Sequence, residues 1–266
     1  MPPDETDLSP VEPRIDPLEP RFELSRPVDP GEPHASAREP FWGYADLALV
    51  LGLSFASIII IVLGVFLATL FYPKLKSDPA PLLLPTQLAL YGFVYLSFLI
   101  VLGARYHQPV FQALGWRRTN VNLWIAGGGG IVLAFAVSGL AALLHTPKVP
   151  SPIDELVNSP ISLVIFGIMA VTIAPLFEEL FFRGFIQPLL SRTFGVVAGI
   201  LITAVFFGSL HAPEYSWAWQ YALAVAVVGV VLGWVRAWSN SIIPSTVMHG
   251  CYNAAFVVAY AFSKHS

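Results

Sequence analysis

Seven apolar runs, each near the ~20 residues that carry a helix across a bilayer, follow one another from Asp46 onward. They occupy 46–72, 82–104, 121–144, 161–190, 195–211, 218–236 and 242–262. Turn chemistry separates them, at Pro73 to Pro81, Tyr106 to Asn120, Pro147 to Pro160, Ser191 to Gly195, Ala212 to Ser216 and Ser239 to Ser241. Lipid satisfies no exposed backbone polar group, so such runs must form helices or a closed barrel. Barrel strands alternate apolar with polar residues, whereas these runs are continuously apolar. The expected fold is therefore all-α, a polytopic transmembrane helix bundle of about seven helices. A charged fraction of 12%, against roughly a quarter in soluble domains, argues against a soluble alternative.

Residues 1–40 have a different composition. They hold ten of the 23 prolines, with ten acidic and four basic residues, a balance of −6 against +3 for the remaining body. Such a segment buries too little apolar surface to offset its ordering entropy, so it is expected to be a disordered, Pro-rich acidic tail. The division that follows is 1–40 tail, 41–150 N-terminal transmembrane helices, and 151–266 a C-terminal helix bundle. No Lys/Arg run exists, so nucleic acid is not expected as a partner; membrane lipids are. With the N-terminus inside, the inner loops would carry Arg105, Arg117, Arg118, Arg192 and Arg236, and the outer ones Lys74, Lys76, Lys148 and Lys264. The positive-inside rule thus leans toward a cytoplasmic N-terminus. The four glycines Gly127–Gly130 lack the Lys-Ser/Thr of a phosphate loop and read as close helix packing.

A charged side chain at bilayer depth costs about 2.5–3.5 kcal/mol even on the lenient insertion scale. The first three runs carry none in their interiors, while the fourth carries Glu178, Glu179 and Arg183 within Pro175-Leu-Phe-Glu-Glu-Leu-Phe-Phe-Arg183. Glu179 and Arg183, at i and i+4, share a helix face and can pair. Glu178 is turned about 100° away and is left without a partner in its own helix. Pro175 removes a backbone donor beside the carboxylates and is expected to kink the helix there. Later runs supply His211, and His249 with Asn253 at i and i+4. At a rise of about 1.5 Å per residue, Glu178 lies ~22 Å from the turn at Thr193 and His211 ~27 Å; His249 and Asn253 lie ~14 and ~20 Å above the last loop. Four polar groups from three helices thus fall within one layer of the membrane.

A carboxylate withdrawn from water suits a general base near neutral pH, and a histidine beside it can help to activate water. A second histidine and an asparagine amide can donate to a developing oxyanion. Glu178, His211 and His249 are equally candidate zinc ligands, since zinc takes nitrogen and oxygen ligands and keeps a position for water. The HExxH motif is absent, and a metal-free water is as open as a zinc-bound one. Competing classes are a proton- or ion-coupled transporter, which predicts inverted repeats that the chain does not display, and a non-catalytic scaffold or immunity protein. A cysteine peptidase built on Cys251 is a poor third, because Cys251 sits about 200° around the helix from His249.

The three motifs, Glu178-Glu179-Leu-Phe-Phe-Arg183, Phe207-Gly-Ser-Leu-His211 and His249-Gly-Cys-Tyr-Asn253, resemble those of the CPBP family of CAAX proteases and bacteriocin-processing or immunity proteins, also called Abi. The resemblance covers about residues 161–262. It implies a multi-pass intramembrane endopeptidase, metal- or glutamate-dependent, acting on a membrane-associated peptide or prenylated (CAAX-type) protein. It also implies Glu178 as base with His211 helping to activate water, His249 and Asn253 at the oxyanion, and Glu179 and Arg183 as support. The expected location is the cell membrane of a prokaryote.

Overall fold

The computed structural model describes residues 40–77, 80–149 and 160–263, and among them there is no strand. The tail reading for 1–40 falls almost wholly outside the described residues. Among the described residues seven helices are long and apolar enough to cross a membrane: α1 Tyr44–Phe71, α2 Pro81–Arg105, α3 Leu123–Leu143, α4 Ile161–Phe194, α5 Val196–Tyr215, α6 Trp219–Ser239 and α7 Ile242–Ser263. The chain is a multi-pass membrane protein. The helix ends lie within four residues of those read from the sequence. Short helical turns at Lys74–Ser77 and Val110–Ala113 fill two of the connections.

α1 faces outward for most of its length, exposing Phe55, Ile59, Val62 and Phe66, as a helix whose solvent is lipid should. Its first residues are anchored, however. The Trp42 indole donates to the Phe185 carbonyl at 3.2 Å and stacks on the Phe185 ring. Arg192 donates to the Pro40 carbonyl. Trp42, Val50, Phe98, Leu102, Leu180, Phe185, Phe207 and Ile242 form one buried cluster that joins α1, α2, α4, α5 and the start of α7.

Between apolar helices in lipid there is little hydrophobic drive, so small residues that permit close approach decide the pairing. The glycine run of α3 does this against α7. A Cβ at Gly127 would lie 3.2 Å from the Cys251 sulfur, and one at Gly130 would strike the Met248 carbonyl. Gly229 and Gly233 do the same for α6, the first against Ala204 of α5 and the second against the Gln187 side chain of α4.

α4 is not regular. Two stretches, Met169–Ile173 and Leu180–Ile186, are wound as π-helix and flank a single α-helical turn, Ala174–Glu179. Pro175, where a kink is expected, sits at the start of that turn, directly after the first π stretch. In the first stretch the Ala174 N–H reaches back five residues to the Met169 carbonyl. On that spacing the Ala170 carbonyl would look to residue 175, which is proline and has no N–H. Asn253 of α7 supplies the missing donor, its Nδ2 lying 2.7 Å from that oxygen. Gly250, one turn earlier on α7, packs on the next carbonyl, because a Cβ there would come within 2.6 Å of the Val171 oxygen.

Candidate active site

The α-helical turn between the two π stretches carries Glu178 and Glu179, and the second stretch carries Arg183. Glu179 and Arg183 are fully buried and lie 3.0 Å apart, Oε1 to Nη1, as their i, i+4 spacing predicts. Arg183 also donates to the Gly229 carbonyl of α6 at 3.2 Å, and its guanidinium lies 4.5 Å above the centre of the Phe207 ring. One turn on, Gln187 donates to the Gly233 carbonyl at 2.9 Å. The buried cation is thereby held by a carboxylate, a carbonyl and a ring face, which is what a charge withdrawn from water requires.

His249 projects from α7 between the two glutamates and is almost fully buried. Its Nδ1 lies 3.2 Å from Glu179 Oε1. A carboxylate oxygen only accepts, so in the neutral ring the hydrogen is assigned to Nδ1 and the lone pair to Nε2. That Nε2 faces Glu178 Oε2 at 3.7 Å, too long for a direct hydrogen bond. Glu178 is the more exposed glutamate, with 19% of its side chain accessible against none for Glu179.

His211, at the end of α5, packs edge-on against Phe207 at 4.6 Å, and the same ring has His249 at 5.9 Å. Its Nδ1 lies 2.8 Å from the Phe207 carbonyl, which again assigns the hydrogen to Nδ1 and the lone pair to Nε2. Thus Glu178, Glu179, Arg183 and His249 are in direct contact, and His211 joins them across Phe207. Asn253 is one turn from His249, with its amide engaged at Ala170. Among the described residues no three His, Cys, Asp or Glu side chains are grouped so as to hold a metal ion. Cys251 turns away toward Gly127.

One neighbour escaped the sequence reading. Tyr91 of α2 donates its phenol hydrogen to Glu178 Oε1 at 3.2 Å. A tyrosine in an apolar run carries no formal charge and so did not stand out. The available signal was the stripe Gln87, Tyr91 and Tyr95 at successive i+4 positions, a polar edge on an otherwise apolar helix.

Residues 160–255 match the family model described as type II CAAX prenyl endopeptidase Rce1-like, the protease family that the three motifs resemble. No curated protein and no solved structure matched the chain.

Proposed function

Because residues 160–255 carry the segment of the CPBP/CAAX protease family, we propose that the chain is an intramembrane endopeptidase of CAAX type, in which Glu178 is the base for an attacking water. The observation that carries this reading is the 3.7 Å separation of Glu178 Oε2 from His249 Nε2. Both atoms are acceptors when the imidazole is neutral, and two acceptors at that distance are bridged by a molecule that donates twice. Water does so, one O–H to each, and its oxygen lone pairs are then turned toward the substrate.

In the reaction, Glu178 takes one water proton as the oxygen bonds to the scissile carbonyl carbon. The carbonyl π electrons move to oxygen, and collapse of the tetrahedral intermediate breaks the C–N bond. Glu178 then returns its proton to the departing amine. His211, which the resemblance assigns to activating the water, acts through its Nε2 lone pair on the proton that Glu178 takes up, since both water hydrogens are already given to Glu178 and His249. His249 is assigned here to holding the water instead of to the oxyanion. Asn253 spends one of its two amide hydrogens on Ala170 and has one left for the oxyanion. Glu179, gripped by Arg183, fixes the His249 ring. The proposed substrate is a prenylated CAAX peptide, presented from the membrane to a site lined by α2, α4, α5 and α7, and the proposed location is the cell membrane of a prokaryote.

The test is cleavage of prenylated and unprenylated CAAX peptides by protein purified into nanodiscs, with products identified by mass. Glu178→Gln keeps the shape and removes the base, and is expected to lower turnover by about two to four orders of magnitude while the melting temperature holds. Full activity from a well-folded Glu178→Gln variant would sink the peptidase mechanism and leave the transporter and scaffold readings standing.

A further inference from the structure

Glu178 ends a long flexible side chain that is partly accessible, so something must decide which of its oxygens meets the water. Oε2 faces His249, and Oε1 accepts from Tyr91 at 3.2 Å. A carboxylate cannot donate, so the phenol hydrogen is committed to Glu178. The ring that delivers it is fixed. Tyr91 is only 8% exposed and lies flat on Phe177, centroids 5.1 Å apart and planes 5° from parallel. Tyr95, one turn along α2, meets the same Phe177 edge-on. The Gln87 carboxamide, one turn the other way, interacts with the phenol oxygen. Phe177 directly precedes Glu178 in the chain, so the stack registers α2 against the turn of α4 that bears the base.

We infer that Tyr91 is a positioning residue for the reaction: it holds Glu178 Oε1 and so presents Oε2 to the water. The inference rests on the peptidase reading above. It extends the working machinery to α2, which lies outside residues 160–255, the segment matched by the family. Without the phenol hydrogen, the carboxylate of Glu178 turns between orientations and only a fraction of molecules offers Oε2 to the water.

The discriminating variant is Tyr91→Phe, which keeps the stack on Phe177 and removes only the donor. A hydrogen bond to a charged group is worth roughly a ten- to hundred-fold change in rate. That loss should fall on kcat, with KM and melting temperature unchanged. Added to Glu178→Gln, Tyr91→Phe should cost nothing further, because residues acting as one unit are not additive. Tyr91→Leu, which removes stack and donor together, separates the two roles. If Tyr91→Phe has wild-type kcat and only Tyr91→Leu is impaired, the ring is packing and the inference fails. It also fails if the Tyr91→Phe loss appears as a lowered melting temperature or as an equal loss in the Glu178→Gln background. An inactive Glu178→Gln beside a fully active Tyr91→Phe overturns this inference alone. An active Glu178→Gln overturns the peptidase reading itself.

Discussion

Asp46, at the start of α1, and Glu178, midway along α4, are both carboxylates in an apolar bundle, and their surroundings differ in kind. Asp46 Oδ2 accepts from the Gly43 N–H at 2.9 Å and from the Tyr106 hydroxyl at 2.7 Å, while the Arg105 guanidinium lies 3.0 Å from Oδ1. The bond to Asp46 pushes the Tyr106 phenol above its ordinary pKa, as expected of a donor whose proton is wanted where it is. The Asp46 side chain is nearly closed to solvent. Glu178 has one donor at 3.2 Å, a second oxygen 3.7 Å from a histidine nitrogen, and partial access. A carboxylate held by two short hydrogen bonds and an ion pair is a lock, here between the start of α1 and the end of α2. One left short of donors has lone pairs to spend on water and proton transfer. Glu179, buried between Arg183 and His249, belongs with the lock although it adjoins the base in sequence.

The largest stability effect should come from the Glu179–Arg183 pair. Removing either partner leaves a buried charge alone, which costs about 3–5 kcal/mol. Glu179→Ala and Arg183→Ala should therefore unfold at much lower temperature, and the double variant should lose less than the sum of the two. Strict additivity in thermal unfolding would count against the pairing. His249→Ala should come next. It removes the acceptor opposite Glu178 and lowers turnover by about two to three orders of magnitude, the loss seen when one activating group is deleted. A variant that retains normal turnover would show that the water is held elsewhere.

Smaller effects test the π-helical turn before Glu178. Asn253→Ala strands the Ala170 carbonyl, at about 1–3 kcal/mol, and Gly250→Ala forces a methyl toward the Val171 carbonyl, at about 1–3 kcal/mol. Both should lower the melting temperature, and Asn253→Asp, which cannot donate when ionised, should resemble Asn253→Ala. An Asn253→Ala protein as stable as the parent would free that residue for the oxyanion alone. The smallest effect concerns the N-terminus. A chain beginning at Glu39 keeps the contacts of Pro40 and Trp42 with α4 and should melt with the full-length protein, whereas one beginning at Gly43 should not.

Much of this was legible beforehand because the bilayer imposes a simple code. Length and continuous apolarity give a spanning helix almost irrespective of neighbours, and all seven appear. The Glu179–Arg183 contact follows from i, i+4 spacing alone. The π stretches of α4 were not legible beyond a kink at Pro175. The first is accompanied by a carbonyl at Ala170 finding Asn253 on a helix more than eighty residues away. The pairing of Glu178 with His249 and Tyr91 was also hidden. Heights along helices place residues in a common layer, whereas rotation about each axis decides contact, and the π turns alter that rotation by inserting residues into the 3.6-residue repeat.

The comparison of the two carboxylates is tested most directly by measuring kcat and melting temperature side by side for Glu178→Gln and Asp46→Asn in nanodiscs, with a prenylated CAAX peptide as substrate. The two effects should cross. Glu178→Gln should lose about two to four orders of magnitude in kcat at parental stability, and Asp46→Asn should lose stability by about 1–3 kcal/mol at near-parental kcat. If Glu178→Gln turns over normally, or if both substitutions lower stability with kcat unchanged, the division into lock and base is wrong.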